Sequence, residues 1–99
     1  MIERQPKPDW ASLPRPGCSN VEFRVLLAKD QFAMANLRFS EFATIDRHDA
    51  PFTIDVMCMS GSGFTSVGDE TFVIRAGETV RWPKGEQHCL WTDGAPMEV

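Results

Sequence analysis

Gly77-Glu-Thr-Val-Arg-Trp-Pro-Lys-Gly-Glu-Gln-His88 is the stretch that decides how this chain folds. Glycine and proline punctuate a short apolar strand, Thr79 to Trp82, and a histidine follows the second turn. Glycine adopts the left-handed backbone that tight turns need, and proline stops a strand because it cannot donate to the ladder. The chain therefore reverses at Pro83-Lys-Gly85 and returns the His88 ring toward the interior.

Working outward, period-two alternation dominates. Val21, Phe23, Val25 and Leu27 share one face, with Glu22 and Arg24 on the other. After a turn at Lys29-Asp30, Ala33, Ala35, Leu37 and Phe39 alternate with Met34, Asn36 and Arg38. Alternation of this kind belongs to strands. Thr53 to Met59 reads as a third strand, broken at Gly61-Ser-Gly63. Phe64 to Val67 and Thr71 to Ile74 flank Gly68-Asp69, a hairpin signal. His88 to Thr92 and Met97 to Val99 follow, separated by a turn at Asp93-Gly94. Short strands at regular spacing with Gly and Pro turns describe an all-β sandwich or barrel. Residues 1–19 hold four of the seven prolines and read as an N-terminal arm, and 20–99 as the barrel domain. Trp10 and Leu13 of the arm are expected to pack on the barrel or on a partner.

Composition sets limits. A chain of 99 residues holds one domain, and 42% apolar with 24% charged residues is ordinary for a globule. The net charge is -4, and Lys and Arg form no cluster. Neutralising a row of phosphates needs such a cluster, so no nucleic-acid partner is expected. Three cysteines, at 18, 58 and 89, lack metal-finger spacing and make an odd count. A reduced, cytoplasmic setting is the expectation. No apolar run is long enough for a membrane span, and the N-terminus does not resemble a signal peptide.

The opening stretch resembles the second motif of the cupin family, Gly-(x)5-Pro-x-Gly-(x)2-His, met by Gly77, Pro83, Gly85 and His88. The resemblance extends over about residues 32 to 93 and implies an antiparallel jelly-roll (double-stranded β-helix) barrel. It also implies a metal-ligand role for His88, facing the barrel interior. The family's first motif is eroded. Anchored on Gly61, it has His48 at the first histidine, Ala50 at the second, Ile54 at the glutamate and Phe42 at the opening glycine. Three imidazoles and a carboxylate suit Fe, Mn, Ni or Zn, whereas two imidazoles hold a divalent ion weakly. Asp46, two residues before His48, and Cys58, at even spacing from Ile54, are the candidates for a further donor.

Three readings of the site follow. One is a divalent-metal oxygenase or isomerase acting on a small molecule through His48 and His88. The second is a metal-free small-molecule-binding or sensory module, with Ile54, Val56, Leu90 and Trp82 lining an apolar pocket. The third is a dimeric scaffold without catalysis. No residue is assigned a catalytic role from the sequence. Alternation from His88 turns Cys89 and Trp91 outward, and from Ile54 turns Asp55, Met57 and Met59 outward. Those apolar outward residues favour a homodimer.

Overall fold

The computed structural model describes residues 8–99 and contains strands and turns only among them. Pro6 of the expected arm lies outside the described residues. The strands are β1 (Ala11–Ser12), β2 (Cys18–Lys29), β3 (Phe32–Asp49), β4 (Ile54–Met57), β5 (Ser60–Val67), β6 (Glu70–Arg75), β7 (Thr79–Trp82), β8 (Gln87–Trp91) and β9 (Met97–Glu98). All pairings are antiparallel. The larger sheet runs β1-β2-β3-β8-β5-β6, with β9 also bonded to β3 and β5; β4 and β7 form a second sheet.

The slot between β3 and β5 is filled twice. β8 occupies one half, pairing Ile45 with Leu90 and Leu90 with Thr65. β9 occupies the other, pairing Phe39 with Met97 and Met97 with Gly61. The two run in the same direction, so β9 resumes the line of β8 after a detour through Thr92–Pro96. Thr92 holds the detour: its Oγ1 accepts from the Ala43 amide at 2.9 Å and donates to the Ser40 carbonyl at 2.6 Å.

Val21, Phe39, Ala43 and Ile45 face Val56, Cys58, Ile74, Trp82, Leu90 and Met97 in one core. Burying a side chain such as Ile74 or Leu90 contributes about 1.5–3 kcal/mol each. The small sheet is tied to the large one by main chain. The Cys58 amide donates to the Glu78 carbonyl and the Gly77 amide to the Cys58 carbonyl, both at 2.9 Å. The result is an all-β, jelly-roll barrel.

The structure revises several expected boundaries. Gly61-Ser-Gly63 does not break a strand but opens β5, because Gly61 takes a left-handed φ of 74° beneath the Pro96 carbonyl. β3 does not end at Phe39; it continues to Asp49 and carries His48 within a strand. β1 and the start of β2 lie within residues 1–19, and β1 adds to the sheet by pairing Ala11 with Phe23. Leu13 packs against the core, and the Arg24 and Arg38 guanidinium groups lie 4.3 and 4.4 Å from the centre of the Trp10 ring.

Candidate functional site

The site starts from a register. His48 of β3 stands directly opposite His88 of β8. Without a register shift, Arg47 and not His48 would stand opposite His88. Ile45 pairs with Leu90, and a shift between Ile45 and His48 inserts one extra residue into β3. A bulge of this kind re-aims every side chain beyond it. It turns the His48 ring to the face that carries His88 and Leu90.

The same bulge sends Asp46 the other way. Asp46 is exposed, its Oδ1 accepts from the Arg47 amide at 2.8 Å, and its Cβ packs over Gly17. What Asp46 offers His48 is its main-chain carbonyl, 2.8 Å from Nδ1. His88 is placed by the opening stretch of sequence. Gly85 takes a φ of 87°, and its amide donates to the Ala50 carbonyl at 3.0 Å. The turn before His88 is thus pinned two residues beyond His48.

The two rings meet at Nε2, 2.8 Å apart, in an edge-on arrangement with planes at 78°. Trp82, the last residue of β7, stacks on His88 with centroids 3.8 Å apart and planes at 16°. Its Nε1 donates to Thr65 Oγ1 at 3.0 Å, and Thr65 donates to the Cys89 carbonyl at 2.8 Å. Trp82 therefore spans from the small sheet to the large one. Ile54, its cross-strand partner, is half-buried beside the core.

Proton positions follow from these partners. A carbonyl only accepts, so the neutral His48 ring carries its proton on Nδ1 and presents a lone pair at Nε2. His88 then donates from Nε2 to His48. That leaves His88 Nδ1 buried with no hydrogen-bond partner. Burial lowers the His88 pKa from 6.5 to about 4, and the neighbouring His48 pushes it the same way. His88 is fully buried, whereas His48 is half-exposed. The pair is neutral at pH 7 on the His88 side and open to the outside on the His48 side.

As candidate donors for a metal, His48 and His88 converge. Cys58 instead directs its Sγ toward the Ser60 and Gly61 carbonyls, at 3.5 and 3.6 Å, and burial raises its pKa. Asp55, turned outward as alternation predicts, is held below its ordinary pKa by its hydrogen bond to Arg81. Among the described residues no group of three or more His, Cys, Asp or Glu side chains is placed to hold a metal ion. Val56 and Leu90 belong to the packed core. A surface groove of about 410 Å³ lies elsewhere, between Asn20, Arg38, Ser60 and Met97.

Sequence reasoning missed Thr65 and the Trp82–His88 stack. Thr65 sits on the inward face of β5 and is fully buried. Its only trace in the sequence is a hydroxyl at a position where alternation asks for an apolar residue.

Searches found no matching family model and no matching curated relative. Solved structures do match. The polyketide cyclase RemF from Streptomyces resistomycificus aligns over 99% of this chain and 75% of its own, at 20% identity and a TM-score of 0.88. A cupin-2 domain from Rhodospirillum rubrum aligns over 99% and 72%, at 15% identity and a TM-score of 0.79. A predicted oxalate decarboxylase from Thermotoga maritima aligns over 99% and 93%, at 21% identity and a TM-score of 0.79. No helix among the described residues is long and apolar enough to cross a membrane. With the antiparallel barrel, the Gly77-to-His88 turn and these neighbours in agreement, the chain has a cupin-like barrel fold.

Proposed function

We propose that this barrel binds a small carbonyl compound beside His48 and moves a proton on it, as an isomerase or a cyclase does. The observation that carries the reading is the Nε2–Nε2 contact at 2.8 Å, with His48 Nδ1 fixed on the Asp46 carbonyl. The Asp46 carbonyl orients the ring and leaves its basic lone pair at Nε2, the atom a general base uses, which His88 occupies until a substrate displaces it. His48 supplies the accessible ring. Once a substrate opens the His88 contact, the freed His48 Nε2 lone pair takes a proton from a carbon next to the carbonyl, and the Asp46 carbonyl, accepting from Nδ1–H, steadies the resulting imidazolium. Before the substrate binds, His88, held neutral and stacked on Trp82, keeps the His48 ring in place. The structural likeness to a polyketide cyclase supports this class of chemistry.

A second reading rests on the orphaned His88 Nδ1. With its proton on Nδ1, His88 would turn a lone pair toward that of His48, and a divalent ion is what two converging imidazole lone pairs accept. Such an ion would polarise a carbonyl as a Lewis acid. Two nitrogens alone fall short of the three protein ligands usual at catalytic zinc, so the metal-free pair is preferred.

Two measurements test this. Elemental analysis of untagged protein, before and after incubation with Fe, Mn, Ni or Zn, is expected to find less than about a tenth of an ion per chain. A stoichiometric ion lost in both His48→Ala and His88→Ala would move the reading to the metal site. Proton–deuterium exchange on a 1,3-diketone probe, followed by NMR, is expected to be accelerated by the protein. His48→Gln should lower that rate at least about 100-fold. Equal rates with and without protein would end the proton-transfer reading.

A further inference from the structure

The loop between β1 and β2, Leu13-Pro14-Arg15-Pro16-Gly17, lies beside the histidine pair. At its end it is fastened to β3, where the Asp46 amide donates to the Gly17 carbonyl at 3.0 Å. The contact is close: a Cβ at Gly17 would stand 2.9 Å from the Asp46 Cβ. Asp46 is the residue whose carbonyl holds His48 Nδ1. At its start the loop is anchored by Leu13, which packs against the core and donates its amide to the Val21 carbonyl at 3.0 Å. Arg15 is tied down on both sides. Its amide donates to the Leu13 carbonyl at 3.0 Å, and the Cys18 amide donates to the Arg15 carbonyl at 3.2 Å. Pro14 and Pro16 flank it and fix their own φ, so the loop is stiff before any ligand arrives.

Arg15 is the one cation of this loop. It is exposed, and among the described residues its side chain makes no ion pair or hydrogen bond. Its charge nevertheless reaches the site. After burial and the neighbouring His48, the Arg15 charge is one of the influences that make His88 harder to protonate. The other charged groups of this region are engaged or turned aside. Arg47 donates to the Gly68 carbonyl at 2.9 Å and to Ser66 Oγ at 3.1 Å. The Asp46 carboxylate accepts from the Arg47 amide. Asp49 acts on His88 in the opposite sense, but it follows His48 in β3, where alternation turns its side chain to the other face.

We propose that Arg15 takes the carboxylate of the substrate, so that the small carbonyl compound is a β-keto acid; this rests on the proton-transfer reading of His48. A guanidinium presents a planar fork that a carboxylate fills with two hydrogen bonds. Asp46 and Asp49 stand in the same part of β3, which favours a monoanion over a doubly charged phosphate. In a β-keto acid the acidic carbon lies between the two groups, so holding the carboxylate at Arg15 brings that carbon toward His48. Its proton passes to His48 Nε2. The electron pair of the broken C–H bond forms a C=C bond, and the carbonyl π pair moves onto oxygen as an enolate. The enolate then lies one carbon from a carboxylate, and Arg15 offsets the doubled negative charge. A carboxylate paired with Arg15 also cancels a positive charge beside the rings, which favours the imidazolium that proton transfer creates.

The chain has two histidines, so NMR follows both rings directly. Acetoacetate is the anionic probe and methyl acetoacetate its neutral counterpart. Acetoacetate should shift the His48 ring signals of the parent at roughly millimolar concentration. Arg15→Gln should need at least about 10-fold more, the scale of a charge-assisted pair at an open site. Methyl acetoacetate should titrate both proteins alike. Deuterium exchange should follow the same split, with kcat/KM in Arg15→Gln down at least about 10-fold for acetoacetate and less than about two-fold for the ester. Arg15→Lys, which keeps the charge and loses the fork, should fall between. If Arg15→Gln lowers the melting temperature, raising NaCl from about 50 to 500 mM replaces it. In the parent the salt should weaken acetoacetate binding and leave the ester unchanged. An Arg15→Gln chain that binds acetoacetate like the parent overturns the proposal. So does an equal loss on both probes, or a parent that acetoacetate does not shift at about 100 mM. Failure of the proton-transfer reading looks different: neither probe exchanges faster with protein, while Arg15-dependent binding of acetoacetate persists and retains the anion site.

Discussion

His88 concentrates most of the unusual chemistry in this chain. Its ring is fully buried, stacked on Trp82, and has one nitrogen without a partner. A buried imidazole resists charge, so its pKa falls to about 4 from 6.5. The sign for stability follows from proton uptake. Between about 4 and 6.5 the unfolded chain binds a proton that the folded chain refuses. This contribution is complete above pH 6.5 and fades as pH falls from there toward 4. Melting temperatures from pH 7.5 to 4.5 should therefore drop more steeply in the parent than in His88→Leu, which removes the titrating ring but keeps an apolar side chain against Trp82. Parallel curves would show that His88 does not carry the effect. Thr65 gives a second residue-scale expectation. Its hydroxyl both accepts from Trp82 and donates to the Cys89 carbonyl in a dry interior. Thr65→Val orphans both partners at constant shape and should cost about 1–3 kcal/mol in chemical denaturation. It should also loosen the indole, seen as a shift in tryptophan fluorescence. A loss under about 0.5 kcal/mol would mean that the two bonds are replaced.

At the scale of elements, the turns that the sequence announced can be graded against one that it disguised. Gly77 and Gly85 take φ of 91° and 87°, and a Cβ at either would meet nothing within 4 Å. Substitution by alanine there should cost only the left-handed backbone, about 1–2 kcal/mol. Gly61 has a similar φ of 74°, but its Cβ would run into the Pro96 carbonyl. Gly61→Ala should cost clearly more than either of the others, measured as urea midpoints under equal conditions. Equal losses at all three would remove the crowding argument. The comparison also shows what was legible. Gly77, Pro83 and Gly85 act through local backbone preferences, which a sequence displays directly. Gly61 acts through a contact with a residue 35 positions away, so its place inside β5 was read as a break. The site divides along the same line. His88 follows from its turn, and Trp82 from the strand before it. The direction of His48 depends on a one-residue bulge after Ile45, which alternation cannot foresee. That bulge is why Asp46, apparently on the face of His48, contributes a carbonyl oxygen instead of a carboxylate.

The barrel as a whole depends on a clasp made late in the chain. β3 and β5 lie apart at the end remote from the histidines, and β9 fills the space by bonding to both. Around it, the Leu37 and Val99 amides each donate to the other's carbonyl at 2.9 Å, and the Met59 amide donates to the Glu98 carbonyl at 2.8 Å. Asn36 Nδ2 donates to the Val99 carbonyl at 2.6 Å. Met97 is the apolar anchor of this clasp, 2% exposed within the core. Its Sδ and Cε pack over Gly63, where a Cβ would meet them at 2.9 Å. Removing the side chain leaves a cavity that rigid sheet on two sides cannot close, so Met97→Ala should cost about 2–5 kcal/mol. The loss should appear in every probe at once, since the strands that β9 joins come from distant parts of the chain. Tryptophan fluorescence at Trp82, which sits at the far end, should report the same urea midpoint as circular dichroism of the strands. Met97→Leu, close in volume, should lose less than about 1.5 kcal/mol. If Met97→Ala instead lowers the dichroism midpoint and leaves that of Trp82 unchanged, the clasp stabilises only its own end, and the histidine site folds as a separate unit.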